Sequence, residues 1–207
     1  MQPRLCADEL ICIRDERVLF EGLSFQLYPG DALEIEGRNG SGKTSLLRIL
    51  AGLSEPEEGA VRWRDRDIRS WQSSFHGELA YVGHLNGVSS DLTAVENLQF
   101  AGSLGDGRAD IDFEAALHRV GLLGFEDVLV RRLSAGQRRR VALAHLLLAS
   151  ASLWILDEPL TALDVRGQAM VARLVNDHLS QGGIVVSSTH GGLDYEADAR
   201  VSRLRLG

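Results

Sequence analysis

Residues 37–44 read GRNGSGKT, and the fold turns on them. Gly37, Gly42, Lys43 and Thr44 fill the fixed positions of the pattern G-x-x-x-x-G-K-[ST]. Just before it, residues 31–36 (DALEIE) alternate apolar and polar side chains like a short strand. Just after it, residues 45–53 (SLLRILAGL) carry helical spacing. Glycines between a strand and a helix let the backbone curl so that N–H groups point inward, and the helix N-terminus adds partial positive charge. The candidate binding residues are therefore Gly37, Arg38, Asn39, Gly40, Ser41, Gly42, Lys43, Thr44 and Ser45. Lys43 suits β- and γ-phosphates, and the Thr44 hydroxyl suits Mg²⁺. A glycine-rich turn that merely carries a lysine would need neither the strand nor the helix. The expected ligand is a nucleoside triphosphate.

Working outward, 207 residues fit one domain with a smaller inserted subdomain, and 44% hydrophobic content is ample for a packed core. A net charge of −7 gives nucleic-acid binding no general electrostatic support. The local exception, Arg131 and Arg132 followed by Arg138, Arg139 and Arg140, reads as a solvated helix face near a phosphate site. Cys6 and Cys12 fit no metal or redox spacing and are expected to be buried, reduced core thiols. The N-terminal MQPRLCADEL lacks a signal-peptide pattern. No apolar run approaches the roughly 18 residues that cross a bilayer, so a membrane role calls for a separate spanning chain.

Upstream of the loop, LCADELICIR and RVLFEGLSFQLY predict two or three antiparallel strands. Pro29-Gly30-Asp31 is a turn, since Pro presets φ and Gly supplies φ > 0. Residues 55–59 (EPEEG) form another turn, and residues 59–64 and 78–83 are expected to make a short strand pair. From His84 to Leu133 the pattern becomes helical. Thr93 and Glu96 spell a T-x-x-E capping box at the head of TAVENLQFAGSL, residues 102–107 read as a glycine-rich loop, and residues 112–120 predict a second helix. A helix over 134–150, a buried strand at 153–156, a helix over 164–179 and a strand over 184–188 complete an α/β alternation.

Asp157 and Glu158 end LWILDEP, at the carboxyl end of a strand, where ligands bind in parallel α/β sheets. Asp157 suits Mg²⁺ through a water, completing a metal site with Thr44. Glu158 is placed as general base for an attacking water. The plainer alternative is a strand that ends in exposed acids before Pro159. LSAGQ, residues 133–137, offers a Ser134 hydroxyl and a Gly136 amide at a helix N-terminus, a second anion site. With one phosphate loop per chain, such a site makes sense if it serves the nucleotide on a neighbouring subunit. Its plain alternative is an ordinary helix cap.

Taken in order, GRNGSGKT, LSAGQ, LWILDEP, LTALD (residues 160–164) and His190 resemble the ATP-binding cassette (ABC) ATPases over essentially the whole chain. The resemblance implies an α/β P-loop NTPase with a RecA-like core, an antiparallel β subdomain and an inserted helical subdomain. It implies a single domain over 1–207, with 1–83 and 139–207 as core and 84–138 as the helical subdomain bearing the signature motif. ATP and Mg²⁺ would be the ligands, enclosed in pairs by an ATP-dependent head-to-tail dimer. Carried over, Glu158, His190 and Lys43 are catalytic, His190 as the switch histidine on the γ-phosphate. Ser134, Gly136 and Gln137 would contact the nucleotide held by a second copy, and residues 160–164 would link the two sites. Two departures stand out. His84, in AYVGH, replaces the usual Gln; a neutral imidazole can accept from a metal-bound water, giving a water-mediated contact beside Thr44 and Asp157. Arg14 replaces the aromatic that normally stacks on adenine, and a guanidinium also stacks, with selectivity for adenine weakened. Ala135 stands for the usual Gly, a mild change.

LFEGLSF, IEGRNGSGKTSLLRILAGL, YVGHLNG, LTAVENL, LSAGQRRRVALAHL and LWILDEPLTALD are similar to the haem-exporter ATPases of cytochrome c maturation. That similarity implies an ATP-hydrolysing subunit of a bacterial ABC translocase for haem export or release in c-type cytochrome biogenesis. It would sit peripherally on the cytoplasmic face of the inner membrane. Its partners would be a separate CcmB-like transmembrane permease subunit, bound through the segment around 84–100, and other haem-handling membrane proteins, with no nucleic acid. The rivals are an ABC ATPase for another substrate, or a soluble cassette acting on ribosomes or DNA. The latter usually carries two cassettes or long insertions. A nucleotide switch without turnover is disfavoured by Glu158.

Overall fold

The computed structural model describes residues 2, 4–104, 112–148, 151–189 and 191–207. It opens on a hairpin. β1 (Leu5–Arg14) and β2 (Arg17–Leu27) are joined by Asp15 and Glu16, left-handed at φ 49° and 62°, the two-residue turn whose twist matches the strands. The Pro29-Gly30 turn closes with the Asp31 amide on the Tyr28 carbonyl at 3.0 Å, and β3 (Asp31–Gly37) runs through the loop into α1 (Lys43–Leu50). β4 (Glu58–Trp63), β5 (Arg66–Asp67), the short α2 (Gln72–Gly77) and β6 (Leu79–Val82) follow. Next come three helices, α3 (Ala94–Leu104), α4 (Phe113–Arg119) and α5 (Ala135–Ala144). β7 (Leu153–Asp157), α6 (Val165–Ser180), β8 (Ile184–Ser188) and β9 (Arg200–Leu206) end the chain.

The strands form an antiparallel sheet, β2-β1-β4-β5, and a parallel sheet, β6-β7-β8-β3-β9. The strand pair expected between residues 59–64 and 78–83 does not form. β4 pairs with β1 and β5, whereas β6 lies parallel beside β7. The reason is local: β5 folds straight back onto β4 and takes its free edge, and residues 68–77 are helical and carry the chain to the other sheet. β9 is a strand that sequence reading missed. Its exposed Arg200, Arg203 and Arg205 line an outer edge beside β3 and hide the apolar alternation.

β7 shows how the parallel sheet is buried on both faces. Leu153 and Ile155 pack with Leu46, Leu47, Trp63 and Phe75, in a core shared with α1 and the antiparallel sheet. Trp154 and Leu156 pack on the opposite face with Val141, Val171 and Leu174 of α5 and α6. Cys6 and Cys12 are buried and free as expected, and burial pushes both thiols upward in pKa. α3 opens on its capping box: Glu96 N–H donates to Thr93 Oγ1 at 3.2 Å, and Thr93 N–H to Glu96 Oε2 at 2.8 Å. It continues through Gly102 to Leu104; the remainder of the expected glycine-rich loop lies outside the described residues. α5 is shorter than its predicted span, passing at His145–Leu147 into a single 3-10 turn. Among the described residues no helix is long and apolar enough to cross a membrane.

Candidate nucleotide site

β3 delivers the chain to Gly37 at φ 151°, where a Cβ would lie 2.6 Å from the Leu206 carbonyl oxygen. Only glycine lets the loop leave the sheet so close to β9. Gly40 (φ 78°) and Gly42 (φ 101°) complete the curl, and Gly42 starts α1 with no side-chain cap. The first amides of that helix are thus left for an anion. The buried Lys43 turns its ammonium onto the carbonyls of Gly37 (2.7 Å) and Arg38 (3.1 Å). Both acceptors are neutral, so an entering phosphate would displace them by forming the stronger, charge-assisted bond.

The parallel ladder brings the acids to this loop. β7 pairs with β8 in a register that sets Asp157 opposite Ser188. Asp157 is only 2% exposed, and both of its oxygens are held: Oδ1 accepts from Ser188 Oγ (2.6 Å) and Oδ2 from Thr44 Oγ1 (2.8 Å). Glu158 follows at φ 48°, a left-handed conformation that costs a non-glycine residue about 1 kcal/mol. Its amide donates to the Ser188 hydroxyl (3.0 Å) and lies 3.1 Å from the Ser188 carbonyl. Its Oε2 accepts from Thr161 Oγ1 at 3.3 Å and lies 3.8 Å from His84 Nδ1. Ser188 is a member of the site that sequence reading passed over as the end of a strand.

Thr44 and Asp157 are hard oxygen donors in contact, and such a sparse pair suits Mg²⁺, which keeps several waters and takes further ligands from phosphates. Among the described residues no group of three His, Cys, Asp or Glu could hold a metal without such help.

Arg131 and Arg132 are exposed as their charge suggested, but Arg139 departs from that solvated face. Arg139 is 3% exposed and donates to the carbonyls of Asp157 (2.8 Å), Glu158 (2.8 Å), Gly83 (2.8 Å) and Pro159 (3.4 Å), and to Asn86 Oδ1 (3.3 Å). Burial lowers its pKa, and the charges of Asp157 and Glu158 act the other way. Arg140 bridges the Val120 carbonyl to Asp164 at 3.1 and 3.0 Å. A run of like charges at the head of a helix gives no sign of which member turns inward.

At the head of α5, Ser134 and Gln137 close a reciprocal capping box: Gln137 N–H donates to Ser134 Oγ (3.2 Å) and Ser134 N–H to Gln137 Oε1 (2.9 Å). Ser134 is exposed, and a Cβ on Gly136 would lie 2.7 Å from the Ala162 carbonyl. Ser134, Gly136 and Gln137 are not among the residues lining the cavity over the phosphate loop.

That cavity, of about 680 Å³, is walled by Asn39, Lys43, Thr44 and Ser45 on one side and by His84 and Glu158 on another. Gly40 and Gly42 of the loop and Arg14, Asp15, Arg17 and Leu19 of the first hairpin form the rest, with no Phe, Tyr or Trp among the lining residues. A second cavity, of about 890 Å³, continues round Asn39 and Gly40 to Glu34, Thr189 and Arg203. His190 lies outside the described residues. The backbone on either side of it is pinned: Thr189 Oγ1 accepts from the amides of Gly191 (3.0 Å) and Gly192 (2.7 Å). The buried Glu34 accepts from the Leu193 amide (2.8 Å) and Arg203 Nε (3.1 Å). Glu34 was hidden in sequence by its place in an alternating strand.

The ABC transporter family profile matches residues 20–161. The chain is 52% identical over 197 residues to the cytochrome c biogenesis ATP-binding export protein CcmA of Methylococcus capsulatus, covering 95% of each chain. It is 47% identical over 205 residues to the protein of that name from Shewanella frigidimarina, covering 99% of this chain and 94% of that one. The fold matches an ABC transporter ATP-binding protein from Pyrococcus furiosus with a TM-score of 0.81 at 24% identity, over 98% and 97% of the two chains. An ATP-binding cassette solved in its ADP conformation matches with a TM-score of 0.78 at 19% identity, over 100% and 90%. The chain belongs to the ABC transporter family, among the cytochrome c biogenesis ATP-binding export proteins, CcmA.

Proposed function

We propose that the chain is the ATP-binding and ATP-hydrolysing subunit of a bacterial ABC complex that exports or releases haem for c-type cytochrome assembly. The observation that carries the ATPase reading is the hydrogen bond between Thr44 Oγ1 and Asp157 Oδ2, which joins side chains 113 positions apart and leaves Glu158 at the cavity edge. The 47–52% identity to CcmA proteins supports the haem assignment.

In this reading the loop amides from Gly37 to Ser45 and the Lys43 ammonium bind and orient the β- and γ-phosphates. Thr44 and Asp157 would hold Mg²⁺, with His84 contributing through water; when bound, the cation neutralises charge on the phosphate oxygens. Glu158 takes a proton from the attacking water. His190 meets the γ-phosphate, and Arg14 stacks on the base. Ser134, Gly136 and Gln137 of a second copy close over the nucleotide, so turnover belongs to an ATP-dependent dimer. We divide the chain accordingly into a core, 1–83 and 139–207, and a helical subdomain, 84–138. The helical subdomain would dock a CcmB-like permease at the cytoplasmic face of the inner membrane, alongside other haem-handling proteins.

The test is steady-state hydrolysis of Mg-ATP by the full chain and by Glu158→Gln. The variant should bind ATP normally and lose about 10²-fold or more in turnover. In cells, deletion of the gene should abolish covalent haem in c-type cytochromes, and wild type but not Glu158→Gln should restore it. Normal c-type cytochromes in the deletion strain would sink the haem assignment and leave the ATPase reading standing.

A further inference from the structure

We propose that Arg139 is a positioning residue for Glu158, holding it in the left-handed conformation from which its carboxylate faces the cavity. This rests on Glu158 acting as general base. A glutamate at φ 48° stays there only if its surroundings over-determine it. Both ends of its peptide unit are held. On the amide side the Ser188 hydroxyl accepts at 3.0 Å, and on the carbonyl side the Arg139 guanidinium donates at 2.8 Å. Releasing the carbonyl frees the backbone to relax to negative φ, which would re-aim the Glu158 side chain while the phosphate loop stays as it is.

The choice of arginine fits this task. The guanidinium is a rigid planar fork with five N–H donors, and five acceptors meet it here. A lysine could hold two or three of them and could not reach both sides of the fork. All five are neutral oxygens, so the buried charge is balanced only at a distance by Asp157 and Glu158. An apolar side chain of similar volume would plug the same space without burying a charge. Retention of the cation therefore points to the carbonyls it holds. Those carbonyls belong to two segments. Asp157 ends β7 and Glu158 and Pro159 follow it, while Gly83 and Asn86 lie on either side of His84, and α5 carries Ser134 at its head. A displacement of the His84 segment is thereby passed through one side chain to Glu158.

The experiment is a double-mutant cycle on the full chain with Mg-ATP as substrate: wild type, Arg139→Met, Glu158→Gln and the double variant. Arg139→Met should lower kcat about 10²-fold, as a misplacement of roughly 1 Å does, with KM for ATP changed by less than about threefold. In the Glu158→Gln background the same substitution should cost less than about threefold, because the group it positions is already gone. Arg139→Lys, which keeps the charge and loses the fork, should fall about tenfold in kcat and show the same background dependence, which carries the test if Arg139→Met does not fold. Equal fold-losses in the two backgrounds, or a rise in KM with kcat unchanged, would overturn the proposal. Wild-type turnover by Glu158→Gln would overturn the general-base reading, and the proposal with it.

Discussion

Acidifying the protein from pH 7 towards pH 4 should destabilise it through His178 by an amount that a single substitution removes. The imidazole, on α6, lies flat against the Trp154 indole of β7, with ring centroids 4.0 Å apart and planes 7° from parallel. Burial lowers its pKa from the ordinary 6.5 to about 4, and the backbone at Ile184 and Ser152 offsets this only in part. Between those two values the unfolded chain binds a proton that the folded chain does not, so stability rises with pH across the window. The contribution is complete above about pH 6.5, declines as pH falls, and is exhausted near pH 4. At about 1.4 kcal/mol per pH unit the loss totals about 3 kcal/mol, a large part of a typical domain's stability. His178→Phe keeps a ring on Trp154 and has no proton to take up. Urea unfolding of both proteins at several values between pH 7.5 and 4 is the assay, with carboxylate effects and the buried His145 common to both. Wild type should lose about 3 kcal/mol more than the variant over that range. Parallel stability curves would refute the assignment of the acid loss to this ring.

Lys43→Ala should weaken ATP binding within its own subunit, whereas Ser134→Arg should leave binding by isolated monomer nearly unchanged and abolish hydrolysis. Equal loss of monomer binding in the two variants, by equilibrium titration, would remove the second-copy role of Ser134. Ser188→Ala withdraws a 2.6 Å bond from the buried Asp157 and one acceptor from the Glu158 amide. It should lower unfolding free energy by about 2 kcal/mol in denaturant melts and slow turnover, and an unchanged midpoint would contradict this. Because the hairpin lines the cavity with Arg14 and no Phe, Tyr or Trp, GTP should support kcat/KM within about tenfold of ATP, since guanidinium stacking accepts any base face. GTP turnover under about 1% of that with ATP would mean that some other group reads the base.

What sequence could and could not disclose follows from the range over which each signal acts. The curl at Gly37, Gly40 and Gly42, the Thr93–Glu96 box and the cap at Ser134 are decided by neighbours a few positions apart, and they stand as spelled. The buried pattern of LWILD shows in its apolar run for the same reason. Pairing is not local. Nothing in residues 59–64 or 78–83 shows that two residues at Arg66–Asp67 will occupy the edge between them. Ser188 and Glu34 acquire their roles from strand register, through Asp157 opposite Ser188 and through a turn 159 positions away that reaches Glu34. Arg139 differs from its two neighbours in the run only by the angle at which it leaves the helix. Polar residues inside regular elements are where periodicity says least.

The parallel sheet also sets a timetable for synthesis. β3 lies between β8 and β9, so the strand bearing the phosphate loop gains neither neighbour until residues 184–188 and 200–206 have been made. That is about 150 residues after the loop itself, or about eight to thirty seconds at ribosomal rates of about 5–20 residues per second. Over that interval the backbone edges of β3 are without the strands that pair with them, a stretch for a chaperone to shield. Nascent chains halted before β8 should carry GRNGSGKT and yet hold no nucleotide, so ATP capture on the ribosome would time the arrival of the last strands.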